Sequence, residues 1–344
     1  MVDITEHQFP KPSINPIGNS VLVTGGAGYI GSHTCKILKK NGFTPITIDR
    51  HIERPGHETF GPQFQVDLPK DQSYLNEIIK RYDIQSCIHF AGSASVGESV
   101  KDPGKYYKNN VVATLALLDQ LVQNNIKTFI FSSSAAVYGD PGNRKCREDR
   151  GPNPINPYGV TKLIVERMLM DYKTAYGISS ISLRYFNAAG ADPEAEIGEL
   201  RDNETHLIPL AINASRQLKT FYINGDDFLT EDGTCVRDYV HVMDLADAHI
   251  KALNYANKNL VCEQINLGSG IPVSNKQLLD TIQKHTGKMN IVVRDGRPGD
   301  PAYLVADIFK AKKILNWSPT QSSIDNIVTT AVKWYNKIHK KEIQ

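Results

Sequence analysis

The chain has little cysteine and almost no excess of charge, and each shortage removes a class of protein. Five cysteines in 344 residues (Cys35, Cys87, Cys146, Cys235 and Cys262) are odd in number and show no CxxC spacing. A disulfide scaffold or a thiolate metal cluster needs more cysteine in tighter patterns. Scattered thiols instead serve as small hydrophobes in a reducing compartment, so the cytoplasm is the expected location. The 39 basic and 37 acidic residues leave a formal net charge of +2, and no basic stripe is interleaved with aromatics, so no nucleic acid partner is expected. No apolar run approaches the roughly 20 residues that span a bilayer, so no membrane partner is expected either. The opening "MVDITEHQFPKPSINPIGNS" lacks the apolar centre of a signal peptide and reads as a flexible arm over 1–19. Also absent are a G-x-S-x-G elbow, a G-x-x-x-x-G-K-[ST] phosphate loop and H-E-x-x-H, and the ten histidines form no evident ligand cluster, so no metal is expected.

What is present is alternation. From 20 to 187, short apolar runs ("SVLVTG", "FTPITID", "QFQVD", "IQSCIHFAG", "IKTFIFSSS", "ISSISLRYFN") alternate with helical patterns, the longest at 104–125 and 157–176. Continuous apolar strands joined by helices predict an α/β fold: a Rossmann-type doubly wound parallel sheet covered on both faces. After Asn187 the pattern mixes loops, short strands and helices, which predicts a smaller mixed α/β C-terminal lobe over 188–344. Segments around 236–287, including "DLADAHIKALNYANK" and "CEQINLGSG", should cross back to the first lobe.

"TGGAGYIG" follows the first strand and opens the first helix, with Gly25, Gly28 and Gly31 spaced G-x-x-G-x-x-G. Glycines let the backbone turn tightly against a pyrophosphate, and the helix N-terminus offers free N–H donors. Asp49 ends the second strand, 18 residues beyond Gly31. A carboxylate there accepts hydrogen bonds from an adenosine ribose and repels a 2′-phosphate, which favours NAD, although Arg50 next to it could meet a phosphate.

"FIFSSSAAVYG" ends the fifth strand, where an open α/β sheet binds its ligands, and this puts Ser134 in reach of a substrate hydroxyl. "INPYGVTK" places Tyr158 and Lys162 four apart at a helix start, on one face. An ammonium near a phenol favours phenolate, which can take a proton from an alcohol. Four-residue spacings alone arise often by chance, and serines at a strand end commonly satisfy backbone groups. Together with the glycine loop they make a dinucleotide redox site: Tyr158 as base, Lys162 tuning it and anchoring a ribose, Ser134 orienting the alcohol.

The set "TGGAGYIGSH", "FAGSASVGESV", "YYKNNVVATLALL", "SSSAAVYG", "NPYGVTK", "LRYFNAAGA" and "EDGTCVRDYVHVMDLADAH" resembles the extended short-chain dehydrogenase/reductases, and among them the UDP-glucose 4-epimerases. The resemblance runs from about residue 20 to residue 335. It implies NAD contacts at Gly25, Gly28, Tyr29, Ile30 and Gly31, at Asp49, and at Asp67 and Leu68 near the adenine. It adds Phe90, Ala91 and Gly92 after the fourth strand and Asn109 on the long helix. Nearer the nicotinamide it implies Ser132, Ser134, Tyr158, Lys162 and Phe186. For a UDP-sugar it implies Asn187, His206, Leu207, Tyr222, Ile223, Asn224, Arg237, Arg297, Asp300 and Leu304, with the two arginines on the diphosphate. Read without the resemblance, Arg237 is a surface partner of Asp232 or Asp238.

The implied activity is 4-epimerisation of UDP-hexoses through a 4-keto intermediate, with hydride passing to NAD and back. The chain departs from the family at Ala94, where many members carry lysine, at Ala136, where a threonine hydroxyl is usual, and at His206, where some have asparagine. The alternatives are a UDP-N-acetylhexosamine or UDP-uronic acid 4-epimerase, a nucleotide-sugar dehydratase, and a non-catalytic NAD-binding regulator. Dehydratases carry an acidic pair just before "VYG"; here those positions are Ala135 and Ala136. Apolar residues on more than one side of helices 104–125 and 157–176, with the resemblance, imply a homodimer. Leu304, where the family lines the sugar pocket, implies weaker use of N-acetylated sugars, unless the alignment shifts by one and brings Tyr303 to the sugar.

Overall fold

The structure is a computed structural model that describes residues 19–52, 59–201, 203–296 and 300–340. Arg297 and residues 1–18 of the expected arm lie outside the described residues. One seven-stranded sheet organises the first lobe. Its spatial order is Cys262–Leu267, Ser179–Tyr185, Thr128–Ser134, Ile84–His89, Ser20–Thr24, Thr44–Asp49, Gln63–Gln65. Every pairing is parallel. The strands are buried along most of their lengths because helices cover both faces. From Ser20–Thr24 the chain first builds outward to Gln63–Gln65, then returns to add Ile84–His89 on the other side. That reversal opens a crevice beyond the carboxyl ends of the strands, the general ligand position of such sheets.

Two apolar clusters fill the faces of this sheet. One joins Val23, Ile130, Leu183, Leu245 and Trp317; the other joins Leu22, Ile48, Leu117, Phe129 and Leu169. The segment expected to cross back divides. Helix Val242–Ala256 packs on helix Tyr29–Lys40, and strand Cys262–Leu267 becomes a sheet edge. Helix Asn275–Thr286 instead gives Leu278, Leu279 and Ile282 to the core of the second lobe, with Ile212, Phe221 and Val328. That lobe holds only short sheets: Tyr239–His241 beside Asn187–Ala189, Thr220–Asn224 beside Asn290–Arg294, and Val236–Arg237 between Val273–Ser274 and Tyr303–Leu304.

The long helix expected over 104–125 is not uniform. Pro103–Tyr106 is α-helical, Tyr107–Val112 is a π-helix and Ala113–Gln123 is α-helical again. The wider turn accommodates two adjacent asparagines that both grip Ser93 in the loop after the fourth strand. Asn109 Nδ2 donates to Ser93 Oγ at 3.0 Å, while Asn110 Oδ1 accepts from Ser93 N at 2.7 Å. Inserted π turns are a recurrent feature of functional sites.

Candidate active site

The glycine loop comes first because its backbone leaves no choice of residue. Gly25 has φ +68°, and a Cβ there would stand 2.7 Å from Ala91 N. A Cβ on Gly31 would stand 2.3 Å from Gly25 O. The loop therefore lies flat against the helix start, and Gly28 at the N-cap of Tyr29–Lys40 provides no side-chain cap. Its first N–H groups are left for an anion. Asp49 ends the second strand, and Gly25, Asp67 and Phe90 follow the first, third and fourth, so they line one edge of the sheet. Asp49 is half-buried there, as is Asp67, and Leu68 is buried beneath. Phe90 N donates to Thr24 O at 2.9 Å and Ala91 N to Thr24 Oγ1 at 3.3 Å, which fixes the loop through Gly92. Arg50 is exposed, and its Nη1 donates to Asn109 Oδ1 at 3.4 Å. These residues fit a dinucleotide: a cradle that side chains would fill, free helix-terminal donors and a carboxylate at the second strand's end.

The catalytic candidates meet through one helix start. Asn156 Oδ1 accepts from Gly159 N at 2.9 Å and Pro157 takes the first helical position, so helix Pro157–Tyr176 begins sharply at Tyr158. Gly159 permits contact with the turn Ala135–Tyr138, since a Cβ there would stand 2.4 Å from Ala136 O. That approach sets Tyr158 beside Ser134 on the same cavity wall. Lys162 is buried, donates to Ser132 O at 2.8 Å, and lies 5.7 Å from the Tyr158 ring centroid. Burial pushes its ammonium down to about 8, against the pull of Glu166.

The expected lowering of Tyr158 by Lys162 is not what the geometry gives. Burial raises the Tyr158 phenol above its ordinary value, and the opposing influences come from the nearby Ser134 hydroxyl and from the Arg201 charge. The ammonium is directed at the Ser132 carbonyl, and desolvation of the phenolate outweighs the rest.

A cavity of about 660 Å³ opens over Ser134 and Tyr158. Among the expected residues it collects Ile30, Phe186, Asn187, His206, Leu207, Arg237, Asp300 and Leu304. Leu304 pairs with Arg237 in the strand register and lines the wall, while its neighbour Tyr303 pairs with Val236. Ala94, Ala135 and Ala136 also line the wall, so no carboxyl occupies the two positions before Val137. Arg237 is not paired with Asp232 or Asp238. Its Nη1 donates to Val236 O at 3.0 Å and Pro301 O at 2.7 Å, and its Nη2 is 3.9 Å from Asp300 Oδ1. Asp238 is occupied by Ser269, Gly270 and Ala306, and Asp232 by Thr234 and Ser274.

Tyr222, Ile223 and Asn224 stand apart from that wall. Ile223 is buried in the second core, and Tyr222 is exposed with the Arg294 guanidinium 3.3 Å over its ring. Tyr29 sends its hydroxyl to Gly190 O at 2.5 Å and so fastens the glycine-loop helix to the second lobe.

Sequence reasoning missed Glu199, Arg201 and Glu204, which line the cavity beside His206. Glu199 Oε1 accepts from Arg201 Nε at 3.0 Å and pairs with His206 Nδ1 at 2.7 Å. The tertiary fold also brings Asp192, Glu194 and Glu196 together, around the Lys36 ammonium. No spacing in the sequence signals either group.

Residues 21–268 match the NAD-dependent epimerase/dehydratase family model. The chain belongs to the NAD-dependent epimerase/dehydratase family. Among relatives of this epimerase-family protein is a UDP-glucose 4-epimerase of Rhizobium meliloti, 44% identical over 324 residues, 93% of this chain and 98% of the relative. A UDP-glucose 4-epimerase of Brucella ovis in complex with NAD superposes with a TM-score of 0.88 at 44% identity, covering 92% of this chain and 98% of that one. A UDP-glucose 4-epimerase of Bifidobacterium longum, in complex with NAD+ and UDP, gives 0.86 at 36% identity, with coverage of 92% and 98%. No helix among the described residues of this family member is long and apolar enough to cross a membrane.

Proposed function

We propose that this epimerase-family protein interconverts UDP-glucose and UDP-galactose with NAD as a resident redox cofactor. The observation that carries the reading is the cavity itself. One space is lined by Ser134 and Tyr158 together with His206, Arg237 and Asp300, and by Ile30 of the glycine-loop helix. Gly25, Gly28, Gly31, Asp49, Asp67 and Asn109 would hold NAD+, which when bound supplies the hydride acceptor and a positive charge that favours phenolate.

The chain's own groups do the rest. Tyr158 takes the proton of the 4-hydroxyl and returns it after the sugar has turned, and Ser134 orients that hydroxyl. Arg237, with Arg297, holds the diphosphate throughout, so binding energy far from the reacting carbon positions it. The apolar Ala135 and Ala136 supply neither acid nor base near C5 and C6, which disfavours a dehydratase, and an intact Ser134, Tyr158 and Lys162 disfavours a regulator without activity. The deciding experiment is incubation with UDP-galactose, followed by NMR. Appearance of UDP-glucose with no net change in NAD redox state supports the reading; its absence from folded, NAD-loaded protein overturns it.

The same proposal extends to breadth and assembly. Leu304, smaller than an aromatic, leaves room for weaker use of N-acetylated sugars. Val112, Leu115 and Met170 are exposed on the two long helices, together with Val100 and Tyr176. A homodimer through these helices would cover them in an isologous contact. The cytoplasm is the proposed location, from the reduced, buried cysteines.

A further inference from the structure

Behind the catalytic corner lies a buried ion pair that the chemistry above does not use. The side chains of Glu166 and Arg184 are each 4% exposed. They meet through two parallel bonds: Arg184 Nε donates to Glu166 Oε1 at 2.9 Å and Nη2 to Oε2 at 2.6 Å. Glu166 stands four residues after Lys162 on helix Pro157–Tyr176, one turn along the same face. Its Oε1 also accepts from Ser133 Oγ at 2.6 Å. Ser133 sits between Ser132, whose carbonyl accepts from Lys162, and Ser134, which lines the cavity beside Tyr158. Arg184 Nη1 continues to Tyr138 Oη at 2.9 Å, and that hydroxyl donates to Asn266 Oδ1 at 2.7 Å. A buried pair is weak evidence of stability, because well-packed apolar residues often serve as well. Its place beside three site residues gives it another use.

We propose that Glu166 is a positioning residue of the epimerisation. It clamps the strand end that carries Ser134 to the helix that carries Tyr158 and Lys162, and it keeps Lys162 in its ammonium form. The proposal rests on the epimerase reading above. The clamp follows from geometry: one carboxylate bonds a strand serine while standing on the helix itself, so the two elements cannot slide independently. The charge argument follows from burial. A desolvated ammonium favours its neutral form, and a carboxylate one turn away offsets that. The groups on neighbouring elements do not replace it. His89 is held neutral, its pKa pushed to about 3 by burial and by Lys162. The Tyr185 and Tyr138 phenols are pushed up by burial and stay protonated. The Cys262 thiol is likewise pushed up. Glu148 reaches the network only through Asn266 N, and burial raises it too. Arg184 remains charged, so removing Glu166 alone exposes Lys162 to an uncompensated cation.

The test is a pH profile of kcat for UDP-galactose in the NAD-loaded protein. In E166Q, Lys162 loses its proton at lower pH, so the alkaline limb should move toward acid by about one unit or more, a tenfold change in protonation. E166D keeps the carboxylate and should leave the limb at the wild-type position, with kcat reduced because the clamp is a methylene short. S133A keeps the ion pair; its kcat should fall roughly tenfold, one lost hydrogen bond to a charged group, with the pH profile unchanged. A folded E166Q with an unmoved limb overturns the proposal, as does S133A at wild-type kcat. If E166Q does not fold, S133A decides. Wild-type turnover is measured first: an inactive wild type sinks the epimerase reading, whereas an unmoved limb beside an active wild type sinks only the role of Glu166.

Discussion

In the first lobe the backbone hydrogen bonds run through one seven-stranded ladder, whereas in the second they run through pieces of two and three strands. The second lobe compensates with buried carboxylates. Asp238 accepts from Ser269 N at 2.6 Å, Gly270 N at 2.9 Å and Ala306 N at 3.0 Å. Asp244, on the helix that crosses back to pack on Tyr29–Lys40, accepts from Thr320 N at 3.0 Å and Gln321 N at 2.9 Å and so ties that loop to the first lobe. A ladder holds every residue along it, while a buried carboxylate holds a loop at one point. Ser134, Tyr158 and Lys162 stand at the end of a ladder strand and on the helix packed against it. Arg237, Asp300 and Leu304 stand on short strands and loops. The proposed division of roles matches this difference: groups that transfer protons need the tighter placement, and groups that select a ligand tolerate the looser one.

Substitutions separate these two roles. The largest effect should come from Tyr158→Phe, which removes the base and keeps the ring: turnover of UDP-galactose by NMR should fall about 10²–10⁴-fold with thermal stability and NAD content unchanged. Gly159→Ala should follow. Its Cβ would meet Ala136 O at 2.4 Å, so the helix must shift, at a cost of roughly 1–3 kcal/mol in a melt and with loss of activity. Arg237→Ala, in the second lobe, should raise KM for UDP-galactose and lower kcat far less than Tyr158→Phe does. Losing charged hydrogen bonds worth about 1.5–3 kcal/mol means a tenfold change or more. A fall in kcat as large as that of Tyr158→Phe would erase the distinction between the lobes. Leu304→Tyr should be milder still, lowering use of N-acetylated sugars while sparing UDP-galactose; an unchanged ratio removes Leu304 as the gate.

The smallest expected effect concerns the seam between the lobes, where Lys36 on the glycine-loop helix meets Asp192 at 2.8 Å. Burial acts to raise the Asp192 carboxyl, but hydrogen bonds from Lys36 and from Glu196 N hold it below its ordinary value. A depressed folded pKa stabilises above the unfolded value, and that stability is lost as pH falls through the folded one. Thermal stability should therefore decline as pH drops below about 4, and Asp192→Asn should flatten that decline.

The alternation of apolar runs and helical patterns made the parallel sheet legible, because burial on both faces requires apolar residues at every strand position. The glycine loop was legible for a similar reason: a backbone at φ +68° with no room for Cβ restricts the residue type. The π turn at Tyr107–Val112 was not legible, since its cause is the pair of contacts from Asn109 and Asn110 to Ser93, 16 and 17 residues away. Nor were Glu199, Arg201 and Glu204, which join the expected His206 and carry no motif.

By itself the sequence determined the fold class and singled out the strand ends and Ser134, Tyr158 and Lys162 as the candidate site, because periodicity and local spacing are properties of neighbouring residues. Only the tertiary structure decided how those three meet. Gly159 had to let the helix approach Ala136, Ser132 had to offer its carbonyl to Lys162, and burial had to raise Tyr158 rather than lower it. Close approach, desolvation and charge pairing depend on which distant segments share a volume, and no local pattern specifies that.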